Sequence, residues 1–224
     1  MTGNRSPERV RDVIDRLVRD RTAIARSDGS VHQLFPVAII PDEGVALRDW
    51  VIRESARQTL EVGLGYGIAA LFICEGLLTN GAPDAHHVAL DPNQATRFAN
   101  CGLQVLDEAG LSPLIEFLPT PSEIALPRFL AEGRRFDLAF VDGNHRFDGV
   151  FLDLIYLGRL VRPAGVIVVD DYQLPSILRA VSFCTSNLNW RVEGQSRDDP
   201  RHHWVVLRTP PAPVDSGFDH FVKF

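Results

Sequence analysis

The chain has 224 residues, 45% hydrophobic and 23% charged, which suits one soluble α/β domain with a sizeable core. Its net charge of −6, with no Lys/Arg block, makes a poor case for a nucleic-acid partner. No apolar run has the length to span a bilayer and no apolar signal core opens the chain, so no membrane partner is expected. Cys74, Cys101 and Cys184 lack metal-finger or redox spacing, so buried thiols and a cytoplasmic location are expected.

Pro7 to Ala25 is expected to be a helix, with Val10, Ile14, Leu17 and Val18 at helical spacing, ended by Ser27-Asp-Gly-Ser. Val45 to Ala56 is expected to be a second helix. From Gln58 strands and helices alternate. The strands are Thr59–Leu64, His87–Asp91, Ile115–Leu118, Phe136–Asp142 and Gly165–Asp171. The helices are Ile68–Leu78, Asn93–Ala109, Ser122–Ala131, Asp148–Leu160 and Pro175–Asn187. Trp190–Glu193 and Trp204–Leu207 follow as strands with no helix between them, which makes an antiparallel hairpin. The pattern predicts an α/β fold: a doubly wound, mostly parallel, seven-stranded Rossmann-like sheet with that hairpin at its end. The expected organisation is a helical cap over 1–57, a ligand-binding core over 58–209, and a tail over 210–224. The tail holds a Pro-rich spacer, Pro210-Pro-Ala-Pro, and an aromatic end, Phe218-Asp-His-Phe-Val-Lys-Phe, expected to dock.

Glu61-Val-Gly-Leu-Gly-Tyr-Gly lies where the first strand of the alternating region meets its helix. Glycines there permit a tight turn and let a ligand approach the backbone. Asp91 ends the next strand, where a carboxylate accepts both hydroxyls of a ribose. Dinucleotide turns space their glycines as G-x-G-x-x-G, whereas here Ile68 takes the third place and Gly67 comes one residue early. Glu61 would repel a pyrophosphate but would attract an ammonium group, which favours S-adenosylmethionine.

With these motifs in order, the chain resembles the class I S-adenosylmethionine-dependent methyltransferases. Within them it is similar to the catechol and caffeoyl-coenzyme A O-methyltransferase-like group and its bacterial natural-product relatives, which act on sugars and macrolides. Ile40-Pro-Asp-Glu-Gly-Val-Ala-Leu resembles the segment this group carries before its first core helix. Ser122-Glu123 resembles its adenine-contacting Ser-Gln pair. Phe136-Asp-Leu-Ala-Phe-Val-Asp-Gly-Asn-His and Val168-Val-Asp-Asp resemble its two metal-binding strand ends. The similarity runs from about Ile40 to Thr209. It implies that Glu61, Gly63, Gly65, Tyr66, Gly67, Asp91, Pro92, Ser122, Glu123 and Asp142 place the donor.

Asp142, Asp170 and Asp171 end two strands that are neighbours in such a sheet, about 5 Å apart. Carboxylates that close stay ionised only with a proton or cation among them, and a hard divalent ion such as Mg²⁺ fits. Turn chemistry is the competing account: Asp142-Gly143 is a common turn pair, and Asp170-Asp171 can accept loop N–H groups. The related metal enzymes usually have Asn where Asp171 stands. His145 stands where those relatives carry a catalytic lysine, and an imidazole can accept a proton near neutrality. A solvated loop histidine is the alternative. Asp148 suits the cap of the following helix.

The expected activity is O-methyl transfer to a small-molecule vicinal diol, aromatic or sugar. A metal-free N- or O-methyltransferase, a non-catalytic adenosylmethionine-binding protein and an NAD-dependent oxidoreductase compete with it. The N-terminal helix is expected either to cover the site or to form a homodimer.

Overall fold

The computed structural model describes residues 5–196, 202–212 and 217–224. The chain folds as two compact units, Met1–Pro121 and Ser122–Phe224.

In the first unit, α1 (Pro7–Asp20) is started by the Ser6 side chain, which accepts from the Arg9 N–H at 3.3 Å, with Pro7 beginning the first turn. It buries Val10, Val13, Ile14 and Leu17. The helix stops before the expected Ala25 because Arg21 turns left-handed, at φ 58°. Thr22–Ile24 (β1) then pairs antiparallel with Val31–Gln33 (β2), a small hairpin missed in the sequence because each strand is only three residues long. Helix α2 (Pro41–Arg53) begins four residues earlier than Val45, since Pro41 is pre-set for a first turn that also carries Asp42 and Glu43.

The strands β3 (Gln58–Val62), β4 (His86–Leu90) and β5 (Ile115–Leu118) lie parallel in the order β5-β4-β3. Helix α3 (Ile68–Asn80) joins β3 to β4 and is buried continuously from Ile68 to Leu77, as a central crossover helix should be. Its one deeply buried acid, Glu75, receives two N–H groups of Arg11 from α1, at 3.0 and 2.5 Å. Helix α4 (Cys101–Glu108) is much shorter than the expected Asn93–Ala109. Ala99 and Asn100 both adopt positive φ, 47° and 57°, which no helix tolerates, and residues 92–97 form turns instead.

The second unit contains α5 (Ser122–Ala131), β6 (Phe136–Val141), α6 (Phe147–Leu160), β7 (Val161–Val169), α7 (Pro175–Asn187), β8 (Arg191–Gln195) and β9 (Val205–Arg208). Its strand order is β6-β7-β9-β8, with β6 and β7 parallel and β9 antiparallel to both its neighbours. The two units thus supply the seven strands of a doubly wound, mostly parallel sheet with a terminal antiparallel hairpin. The aromatic tail docks on α7: the Asn187 side chain exchanges two hydrogen bonds with the Val222 backbone, at 2.9 and 2.7 Å, and Arg179 donates to the Phe224 main-chain oxygen. Phe224 meets Phe183 edge-on at 5.1 Å. Pro213, the last residue of the expected spacer, lies outside the described residues. Among the described residues no helix is long and apolar enough to cross a membrane.

Candidate active site

The glycine turn of the first unit is a backbone structure that side chains would spoil. Gly63, Gly65 and Gly67 all have positive φ, at 97°, 52° and 81°. A Cβ on Gly67 would lie 3.0 Å from the Gly102 carbonyl oxygen and from Val105, so α4 presses against the turn. Gly102 is itself required: a Cβ there would stand 2.6 Å from the Gly65 carbonyl oxygen. Sequence inspection missed Gly102, because a lone glycine at the start of a helix has no pattern of its own.

Asp91 is the organising carboxylate of this region and is 3% exposed. Its Oδ2 accepts from the Gly65 N–H at 3.0 Å and from Gln94 at 2.8 Å; its Oδ1 accepts from the Asn93 N–H at 2.7 Å. Gln94 also donates to the Gly65 carbonyl at 2.5 Å, closing a ring of polar contacts between the turn and the end of β4. These three donors take up most of the about four acceptor positions of the carboxylate. Pro92 is exposed beside it. Tyr66 is 8% exposed and packs edge-on against Phe98 at 5.1 Å.

Glu61 and His87 have no exposed surface. His87 Nε2 lies 3.2 Å from a Glu61 oxygen, but the pair is not aligned as a hydrogen bond. On its other side His87 Nδ1 is 2.9 Å from the Thr59 hydroxyl. Burial raises the Glu61 carboxyl above its ordinary range, opposed in part by His87. In this arrangement Glu61 contacts the inside of the unit, and the expected contact with an ammonium group has no open carboxylate to make it. The burial of strand β3 on both faces is the reason.

In the second unit, the loops after β6 and β7 bring Asp142, His145 and Asp171 together, with one ligating atom from each lying within 4.8 Å of the others. His145 Nε2 is 3.0 Å from Asp171 Oδ2 and 3.5 Å from Asp142 Oδ1. The Ser176 hydroxyl holds the His145 carbonyl at 2.6 Å, and Gln173 donates to Asp171 Oδ1 at 2.8 Å. Asp171 takes a left-handed φ of 54°, which turns it away from the line of β7. Asp170, expected as a third acid, lies one residue past the end of β7, its N–H bonded to the Val141 carbonyl at 3.0 Å. It stands outside this three-residue group. The two acids, hydrogen-bonded to the imidazole, raise the His145 pKa to about 10, and the same contact holds Asp171 below the ordinary carboxylate range. One imidazolium is thus shared between two carboxylates and offsets part of their charge.

Ser122 opens α5 and is half-buried, and Glu123 beside it is exposed. Asp153 of α6 is a buried acid, its carboxyl pushed up to about 6 by burial with Ser122 opposing the rise; sequence inspection missed it because an aspartate among helical apolar residues is usually a surface position. Asp148 does not cap α6 as expected: the helix starts at Phe147 with Arg146 at the cap position and no side-chain cap, and Asp148 sits in the first turn paired with Arg146 at 3.2 Å.

A family model described as a methyltransferase domain matches residues 60–172. The caffeoyl-CoA O-methyltransferase of Stellaria longipes is 22% identical over 183 residues, 76% of this chain and 73% of that protein. The O-methyltransferase of Bacillus cereus, solved in complex with SAH, superposes with a TM-score of 0.68 at 16% identity, covering 90% of each chain. TomG of Streptomyces achromogenes, an O-methyltransferase involved in tomaymycin synthesis and solved with SAM, gives a TM-score of 0.67 at 20% identity, covering 91% of this chain and 90% of that one.

Proposed function

The chain belongs to the methyltransferase-domain family, which matches half its length, and on that premise we propose that it is an S-adenosylmethionine-dependent O-methyltransferase of a small-molecule vicinal diol, assisted by a divalent cation. The observation that carries this reading is the pair of carboxylates, Asp142 and Asp171, converging on one imidazole at the strand ends of the second unit.

Adenosylmethionine carries an already activated methyl group, so the protein's task is to place it and to deprotonate the acceptor. We assign Gly63, Gly65 and Gly67 to admitting the donor to the backbone and Asp91 to the ribose; the family resemblance assigns Ser122 and Glu123 to the base. Tyr66 and Pro92 flank the turn, and Glu61 supports it from within. Asp142 and Asp171, with Asp170 beside Asp171 in the chain, would hold the cation; a hard ion such as Mg²⁺ suits their oxygen donors and would lower the pKa of a bound hydroxyl. Two neighbouring oxygens on the acceptor exploit such an ion best, hence a diol. His145, with its pKa raised to about 10, keeps its proton at neutral pH while both acids are charged. A cation held by the two acids would offset the field that raises the His145 pKa, and His145 is the residue we assign to take the acceptor's proton.

One observation favours a second reading, metal-free transfer: His145 already bridges both acids as a cation would. Turnover on a panel of catechols and sugar diols, with chelator and then with Mg²⁺ restored, decides between them. Loss with chelator and recovery with Mg²⁺ supports the first reading; indifference to both supports the second. Residues 1–57 as a cap, 58–209 as the catalytic core and 210–224 as a docked tail complete the proposal, for a cytoplasmic enzyme that either works alone or pairs through its cap.

A further inference from the structure

Gln173 lies in the loop between β7 and α7, half-buried, and both ends of its amide are in use. Its Oε1 accepts the His203 backbone N–H at 3.0 Å, and its Nε2 donates to Asp171 Oδ1 at 2.8 Å. A backbone N–H only donates, so the amide oxygen must face His203 and the NH₂ group must face Asp171. The segment that sets this direction is itself secured. The His203 carbonyl accepts from the Tyr172 N–H at 2.7 Å. The Ser196 hydroxyl, just past β8, accepts from the Trp204 N–H at 3.1 Å and donates to the His202 carbonyl at 3.3 Å. Gln173 is thus aimed by residues leading into β9, not by its own loop.

Asp171 needs such a hold. Its φ of 54° is one that a residue with a Cβ keeps only where its surroundings impose it. The Leu174 N–H closes the turn onto the Asp171 carbonyl at 2.8 Å, but that bond fixes the main chain and not the carboxylate. Gln173 takes Oδ1, and Oδ2 is the oxygen that meets His145 Nε2 at 3.0 Å. With an acceptor in place of the Gln173 NH₂ group, Oδ1 would be repelled and the carboxylate would turn.

We propose that Gln173 is a positioning residue for methyl transfer: by donating to Oδ1 it aims Asp171 Oδ2 at His145, and so ties the reacting centre to the segment that leads into β9. This rests on the assignment of Asp171 and His145 to that centre.

The test compares Gln173→Leu and Gln173→Glu in the full chain, with melting curves as a check on folding. Each is read by the ring-nitrogen NMR signals of His145 at neutral pH, and by kcat and KM on catechols and sugar diols. Gln173→Leu drops both bonds. Gln173→Glu keeps the acceptor for His203 but sets a second carboxylate against Asp171. Both variants shift the His145 Nε2 signal, and both lower kcat by about tenfold while KM for adenosylmethionine changes by less than about twofold. Gln173→Glu is affected at least as much as Gln173→Leu. A role limited to holding the loop would leave Gln173→Glu near the wild type in both readouts, and that result overturns the proposal. Added to Asp171→Ala, Gln173→Leu moves the ring signal no further, because it acts through Asp171; a further shift overturns the proposal. If Gln173→Leu does not fold, Gln173→Glu decides alone. An unshifted ring signal in a folded variant overturns this inference alone, whereas a shifted signal with unchanged kcat overturns the assignment of the reacting centre as well.

Discussion

Asp91 in the first unit and the acid pair of the second unit are both carboxylates at strand ends, yet they are satisfied in opposite ways. Asp91 is matched by neutral donors from its own neighbourhood: two backbone N–H groups and the Gln94 amide. Asp142 and Asp171 share the charge of one half-exposed histidine, with the Gln173 amide also donating to Asp171. Neutral donors fix a shape and change little with pH or ions. A shared imidazolium fixes less and can be displaced by another cation. The comparison separates a cradle that is already built from a centre whose charge remains exchangeable.

The largest effect that would break this contrast is expected from Asp142→Ala combined with Asp171→Ala. Methyl transfer should fall by more than about a hundredfold, as loss of positioning at a reacting centre does. Affinity for S-adenosylhomocysteine, measured by calorimetry, should change by less than about fivefold, because the glycine turn and Asp91, which carry most of the donor's placement, keep their hydrogen bonds. A comparable loss of affinity would mean that the two regions do not act separately.

Next in size, Gly102→Ala and Gly67→Ala should each cost about 1–3 kcal/mol of stability, through close contact in the first and a left-handed φ in the second. Both should weaken cofactor binding with little change in any response to Mg²⁺. Asp91→Asn should weaken S-adenosylhomocysteine by about tenfold, since an amide nitrogen would face the Gly65 N–H or the Asn93 N–H.

A smaller effect concerns pH. The folded Asp153 pKa, about 6, lies above its ordinary 3.8, so the native state holds this proton more tightly than the unfolded chain does. Its protonated form therefore supports the fold fully below pH 3.8, and that support is lost as pH rises through 6. Asp153→Asn removes this loss, so the variant should gain up to about 2–3 kcal/mol relative to the wild type between pH 4 and pH 7. Melting curves at the two pH values check it. The smallest effect is expected from Arg19→Ala, whose partner Asp20 is its immediate neighbour at the surface: under about 0.5 kcal/mol.

Legibility followed the length scale of each feature. The alternation of apolar strands and helices is written in consecutive residues, and α5 and α7 were placed at their observed bounds. The β1–β2 hairpin escaped because three-residue strands carry too little pattern. Helix α4 was overextended because the backbone reversal at Ala99 and Asn100 has no compositional warning. Among site residues, Asp142, His145 and Asp171 were visible as acids and an imidazole near strand ends. Gln94, Gly102 and Asp153 were not, since each matters through a partner distant in sequence or hidden in a turn.

The sequence by itself determined the order of elements, the place of the glycine turn and the kinds of charged group at each strand end, because these depend on local spacing and on the chemistry of single residues. Only the tertiary structure decided which acids meet. It grouped His145 with Asp142 and Asp171, left Asp170 one residue past the end of β7, buried Glu61 against His87, and buried Asp153 on α6. Direction is set by φ and by packing on neighbouring elements, and neither is encoded in the identity of the residue alone.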